Sequence, residues 1–206
     1  EVIQKGGCVA WIRNTVADAR KAYSLLQDAS PDQKLMLFHS RYAMGDRLEI
    51  EERVLNRFGK HSGSQDRAGW VLVGTQVLEQ SLDFDVDLMI SDLAPIDLII
   101  QRAGRLHRHL RQANGDLSQD GRDGRSEPEL IILSPSLEGS PDASWYKTLF
   151  PTAAYVYPDA GKLWLGANAL KEAGNITTPG EQGEPGAVRH LVEAVYGADL
   201  DSVPDE

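Results

Sequence analysis

The 206-residue sequence predicts an α/β fold: a parallel sheet with helices on both faces, followed by a small, mostly helical appendage. Three observations carry this. Short apolar runs alternate with longer amphipathic stretches from Cys8 onward, the pattern of strand and helix units that build parallel sheets. Polar clusters close the first three runs, so they gather at one sheet edge, where ligands sit in such folds. Beyond Ser134 the alternation gives way to proline, glycine and aromatic residues. The expected division is 1–135 for the sheet and 136–206 for a linker and appendage.

The elements follow in order. Cys8 to Arg13 reads as a buried strand ending at Asn14-Thr15, where either side chain could cap the next helix. Val16, Ala19, Tyr23 and Leu26 mark one face of that helix, and Ser30-Pro31-Asp32 reads as a turn. Lys34 to Phe38 is a second strand delivering His39-Ser40-Arg41, and Ala43 to Phe58 is a charged amphipathic helix stopped by Gly59. Lys60 to Gly69 reads as a polar loop. Trp70 to Val73 is a third strand, with Gly74-Thr75 turning out of it toward Gln76. Val86 to Ser91 is a fourth strand with Asp92 at its end, and Ala94-Pro95 opens the next helix. Gly115 to Pro128 reads as a mobile surface loop, and Glu129 to Leu133 as a last strand. In the appendage, helices are expected near Ala160 to Ala173 and Ala187 to Tyr196. Trp145, Trp164, Tyr155 and Tyr157 read as packing residues rather than base-stacking platforms.

Composition narrows the class. With 41% hydrophobic and 25% charged residues the chain can bury a core, and the single cysteine, Cys8, excludes an internal disulfide and points to a reducing, cytoplasmic setting. No segment resembles a signal peptide or approaches the apolar length of a membrane span, so no membrane partner is expected. The formal net charge of −10 argues against a protein that coats nucleic acid by bulk electrostatics. Much of the acid lies between Asp116 and Glu129 and in a tail holding Glu193, Asp199, Asp201, Asp205 and Glu206.

Against this background the stretch Gln101 to Arg111 is distinctive. Arg102, Arg105, Arg108 and Arg111 recur every third residue, with no acid among them. On a helix that spacing presents the guanidinium groups along one face, and guanidinium matches phosphate oxygens in bidentate geometry. A solvated basic helix face is the alternative. Gly104, inside the row, suggests close packing. His107 and His109, two apart, make poor joint metal ligands, and no zinc spacing, phosphate loop of the form G-x-x-x-x-G-K-[ST] or magnesium-binding acid pair occurs. No metal site is expected. An arginine row can still complete a phosphoryl-transfer site built elsewhere.

Gln101-Arg102-Ala103-Gly104-Arg105-Leu106-His107-Arg108 resembles the last conserved motif of superfamily 2 helicases, Q-R-x-G-R-x-x-R. Thr75 to Asp83, Thr-Gln-Val-Leu-Glu-Gln-Ser-Leu-Asp, resembles the motif preceding it. Together with Asp92 to Asp97, His39-Ser40-Arg41 and Val188 to Gly197, they make the chain similar to the CRISPR-associated helicase-nuclease of type I systems. The resemblance implies the second RecA-like lobe and the start of the C-terminal region. It implies that Arg105 and Arg108 reach the phosphates of ATP, supported by Gln101 and Arg102, with Asp83 near the nucleotide sugar. Asn14, Thr15, Ser40, Arg41, Thr75 and Gln76 would hold backbone phosphates of single-stranded DNA. ATP with Mg2+ would be bound mainly by a first lobe absent here. The other implied partners are the nuclease domain and the guide-RNA surveillance complex.

The function so implied is one lobe of an ATP-dependent single-stranded DNA translocase in CRISPR interference, inactive by itself. Another superfamily 2 DNA-repair or RNA helicase, or a non-catalytic nucleic-acid-binding module of the same fold, are the alternatives. A parallel sheet without a nucleotide loop, and Glu1 in place of an initiator Met, lead to the expectation of a fragment.

Overall fold

The computed structural model describes residues 1–178 and 186–197. The acidic tail residues Asp199, Asp201, Asp205 and Glu206 lie outside the described residues. The chain divides into two compact units, the first formed by Glu1–Ser91 with Gly104–Ile132, the second by Asp92–Ala103 with the chain from Leu133 onward.

The first unit is built on five parallel strands, β1 (Val9–Ile12), β2 (Lys34–Phe38), β3 (Trp70–Gly74), β4 (Leu88–Asp92) and β5 (Glu129–Leu133). Their order is β2-β3-β1-β4-β5. Both sheet faces are covered, which is why the strands are near-continuous apolar runs. Side chains alternate between the faces. Ala10, Ile12, Met36, Phe38, Leu72 and Met89 share one core with Val54 and Phe58 of α2 (Met44–Phe58) and Leu78 of α4 (Val77–Ser81). Val9, Val71 and Val73 share the other with Ala19 and Ala22 of α1 (Val16–Ala29). Thr15 provides the cap that the sequence left open between it and Asn14: its hydroxyl accepts the Asp18 N–H at 3.1 Å.

The structure departs from the sequence expectations at three places in this unit. The Lys60–Gly69 stretch is not simply a polar loop, because it contains α3 (Ser64–Arg67), whose Arg67 is fully buried. The 115–128 segment is not a free surface loop. Asp116 accepts the Ser64 N–H at 2.7 Å, Gly124 donates to the Arg111 carbonyl at 2.6 Å, and the Arg125 side chain is only 5% exposed. Strand β4 begins at Leu88 instead of Val86, and Val86 pairs with Leu106 in an isolated parallel bridge.

The second unit is helical, with α5 (Ile96–Ala103), α6 (Trp145–Leu149), α7 (Ala160–Ala173) and α8 (Ala187–Tyr196). Ile96, Ala169, Leu191 and Val195 form its core. Asp159 caps α7 by accepting the Lys162 N–H at 2.9 Å, and Gly174 ends it in the left-handed region. Tyr146 donates to the Leu93 carbonyl at 2.7 Å, which anchors α6, an element the sequence reading missed. Tyr155, expected to pack, is 80% exposed, with the Lys147 ammonium 5.8 Å from its ring centre. Among the described residues, no helix is long and apolar enough to cross a membrane.

Candidate functional site

The three polar clusters do lie side by side. β2, β3 and β1 run parallel in adjacent positions, with Phe38, Gly74 and Ile12 in register. Asn14-Thr15, His39-Ser40-Arg41 and Thr75-Gln76 therefore leave the sheet at one carboxyl edge. Gly74 permits the approach: a Cβ there would meet the Phe38 carbonyl oxygen at 2.7 Å and the Leu78 side chain. The Arg13 N–H bonds the Gly74 carbonyl at 2.8 Å, and the Thr75 N–H bonds the Phe38 carbonyl at 3.3 Å. Asn14 and Thr75 are buried, whereas Ser40 and Arg41 face solvent. His39 shapes the β2 exit, accepting the Arg41 N–H on Nδ1 at 3.3 Å and stacking on Tyr42 with ring centres 4.3 Å apart. Its pKa is lowered, chiefly by burial.

The arginine row is not a helical face. Helix α5 stops at Ala103, and Gly104 lies in the turn that leaves it. The spacing of three fits a helix, but nothing in it fixes where the helix ends. From there the chain runs beside Asp83–Asp87: the Val86 N–H donates to the Arg105 carbonyl at 3.2 Å and the His107 N–H to the Val86 carbonyl at 3.3 Å. His107 has a φ of 46°, a left-handed conformation uncommon without glycine.

Each arginine consequently meets a different neighbour. In the second unit, Arg102 is fully buried and donates to the Asp92 carbonyl at 3.1 Å, while Gln101 is exposed. In the first unit, Arg105 donates to the Glu79 carbonyl at 2.7 Å. Its Nε is buried with no hydrogen-bond partner among the described residues. Burial, and then the neighbouring Arg108 charge, lower its pKa. Arg108 pairs with Asp83, both substantially exposed, and His109 Nε2 lies 3.5 Å from the same carboxylate. That pairing holds the Asp83 carboxyl below its ordinary range. Arg111 is fully buried and bonds Asp85 at 2.6 Å.

The row therefore does have acids against it, supplied from elsewhere in the chain. Asp83, Asp85 and Asp87 alternate with Phe84 and Val86, which enter the core. Asp85 accepts from Arg67 at 2.7 Å, Arg111 at 2.6 Å and Arg125 at 3.0 Å. Asp87 accepts from Arg67 and Arg125, each at 2.9 Å. Burial would push both carboxyls up; the arginine charges outweigh it, and both lie below the ordinary value. The signal missed in the sequence is the period-two row of aspartates, of which only Asp83 was singled out.

Among the described residues, no group of three or more His, Cys, Asp or Glu converges as metal ligands. The structure thus brings Asp83, Arg105 and Arg108 together and groups the six expected strand contacts at one edge. Gln101 and Arg102 belong to the other unit.

Comparison with known proteins places this geometry. Residues 5–111 match the family described as CRISPR-associated nuclease/helicase Cas3, C-terminal. The CRISPR-associated endonuclease/helicase Cas3 of Thermus thermophilus is 52% identical over 172 residues, which are 83% of this chain and 16% of that protein. The crystal structure of T. fusca Cas3-AMPPNP superposes with a TM-score of 0.72 at 37% identity, over 99% of this chain and 21% of that one. A chain of a CRISPR RNA-guided surveillance complex, pre-nicking, matches at a TM-score of 0.63 and 32% identity, covering 98% of this chain and 23% of that one. The chain spans about a fifth of the lengths of these proteins. Its RecA-like parallel sheet is that of the Cas3 C-terminal helicase lobe, and the chain belongs to the CRISPR-associated nuclease/helicase Cas3 family.

Proposed function

We propose that this chain is the second RecA-like lobe of an ATP-dependent single-stranded DNA translocase that acts in CRISPR interference, the degradation of foreign DNA. The observation that carries the reading is Arg105. Its Nε is buried without a partner among the described residues, beside the second positive charge of Arg108. Phosphate oxygens would satisfy that donor and offset both charges, and the planar guanidinium fork suits them.

When bound, ATP supplies the phosphoryl group whose transfer to water drives movement. Arg105 and Arg108 would meet the charge that develops on that group, an effect worth about 10³ to 10⁵ in rate in phosphoryl-transfer enzymes. Arg108 is free to change partners, because its exposed pair with Asp83 is worth only about 0.2–1 kcal/mol. Asp83, once released, would face the nucleotide sugar, and Gln101 and Arg102 are assigned supporting roles. T. fusca Cas3 was crystallised with AMPPNP, which supports an adenine nucleotide. The hold on ATP and Mg2+ is assigned to a first lobe outside this chain.

Asn14, Thr15, Ser40, Arg41, Thr75 and Gln76, at the carboxyl edge, are assigned to the strand's phosphates. Contacts to phosphates carry no base preference and suit translocation along any sequence. The nuclease domain and the guide-RNA surveillance complex are the remaining assigned partners; a chain of such a complex is among the structural matches.

The test is ATP hydrolysis, with and without single-stranded DNA, by this chain alone and by the chain joined to its natural upstream sequence. The expected result is no turnover alone and DNA-stimulated turnover when joined. In the joined protein, Arg105→Ala should lower turnover about 10³-fold or more and keep strand binding. Absence of turnover in the joined protein, or turnover indifferent to Arg105→Ala, would overturn the reading.

A further inference from the structure

Past Ala103 the backbone carrying Arg105 and Arg108 has neither helix nor extended ladder to fix its course. It also holds His107 in the left-handed region, which is unfavourable for a residue with a side chain. Something outside the segment has to impose that path. On one side Val86 does so, through its two backbone bonds to Arg105 and His107.

On the other side, the peptide groups flanking His109 are gripped by buried charge. The His109 N–H points to Asp85 Oδ1 at 3.4 Å, and its carbonyl accepts from Arg125 Nη2 at 2.8 Å. Arg125 in turn reaches Asp85, Asp87 and Asp123. Two residues on, Arg111 is fixed from every direction. Beyond Asp85 it donates to the carbonyls of Ser62 at 2.7 Å, Gly59 at 2.9 Å and Gly115 at 3.0 Å. Three arginines (67, 111 and 125) thus balance three aspartates (85, 87 and 123) in one network. Its centre, Asp85, is two residues from Asp83, the partner of Arg108.

We infer that Asp85 and Arg125 are positioning residues for the ATP-hydrolysis reaction: they touch no substrate, but hold the His109 peptide and so aim Arg108 and Arg105. This rests on the reading that those two arginines meet phosphate. A network that only stabilised the fold would lower the amount of folded protein and leave the folded molecules as active as before. A positioning network makes a sharper demand, since a displacement of about 1 Å at a catalytic group can cost about 100-fold in rate.

The experiment uses the protein joined to its upstream sequence and compares Arg125→Gln, Arg105→Ala and Arg108→Ala with the corresponding double variants. Cooperative thermal melting verifies folding. Arg125→Gln is expected to lower kcat for DNA-stimulated ATP hydrolysis about 10- to 100-fold, with KM for ATP changed less than about threefold. The loss should be non-additive, so that Arg125→Gln costs little further once Arg105 or Arg108 is alanine. Asp123→Asn weakens one partner of Arg125 at the partly exposed end of the network, and should show a smaller kcat loss with the same non-additivity. It keeps the test open if Arg125→Gln fails to fold. Folded variants with unchanged kcat, or with losses that simply add to those of Arg105→Ala and Arg108→Ala, would overturn the inference. If Arg105→Ala and Arg108→Ala themselves leave turnover intact, the fault lies in the functional reading instead.

Discussion

Arg111 donates its Nε–H to Asp85 at 2.6 Å, and neither side chain reaches solvent. Three residues earlier, Arg108 meets Asp83 in the open. The same kind of pair thus occurs twice, once buried and once exposed, and burial decides what each is for.

Arg111→Ala leaves three aspartates facing two arginines and takes the donor from the Gly59, Ser62 and Gly115 carbonyls, so it should destabilise the chain by about 3–5 kcal/mol. Arg108→Ala, at the exposed pair, should cost less than about 1 kcal/mol. Urea denaturation of the two variants checks the contrast. Equal losses would mean that the two pairs are not distinguished by burial.

Acid should loosen the 115–128 segment. Partial burial would raise the Asp123 carboxyl, but hydrogen bonds and charge from Arg125 bring it from 3.8 down to about 2. A carboxyl lowered on folding stabilises the fold above its unfolded pKa, and that stability is lost as pH falls toward the folded value. Asp85 and Asp87 are lowered as well. As these carboxyls protonate, the urea midpoint should therefore fall between about pH 5 and 2, below an earlier, separate decline from His39, His107 and His109, whose pKa values burial lowers. Arg125→Gln should flatten that part of the fall.

Cys8 should be inert in the folded chain. Burial pushes its thiol up to about 12, and Arg67 Nη2 lies 3.2 Å from Sγ. Since the thiolate is the reacting form, alkylation by iodoacetamide near pH 8 should proceed only as fast as the chain opens. Mild urea should accelerate it in step with unfolding. Rapid labelling of the native protein would contradict the buried placement.

Gly74→Ala should disturb the carboxyl edge. The added methyl group would crowd the Phe38 carbonyl at 2.7 Å and the Leu78 side chain. Overpacking of this kind costs about 1–3 kcal/mol, and the strain falls where β3 delivers Thr75. The joined protein should lose affinity for single-stranded DNA as well as stability, measurable by fluorescence anisotropy.

Much of the fold was legible because its signals are local. Lys34–Phe38 and Glu129–Leu133 are apolar runs between turns, and Ala160–Ala173 and Ala187–Tyr196 carry periodic apolar faces; all four take the predicted form. The grouping of Asn14-Thr15, His39-Ser40-Arg41 and Thr75-Gln76 followed from parallel connectivity alone. The arginine row was legible as chemistry but not as geometry. Gly104 lies just past the end of the helix, and Asp83 and Asp85 approach from 25 and 26 residues away. Arg67 and Arg125 were read as loop residues because their burial is made by ionic partners, not by apolar neighbours. Local composition carries no trace of such pairing.

The ionic network also bears on the order in which the molecule takes shape. It joins residues as distant as Cys8 and Arg125, and Arg125 follows both Arg105 and Arg108 in the chain. A nascent polypeptide that has completed β1 to β4 can already pair those strands, yet the His109 carbonyl still lacks its donor. The segment bearing Arg105 and Arg108 therefore lacks that anchor until Arg125 has been synthesised, although the strands that support it precede it in the chain.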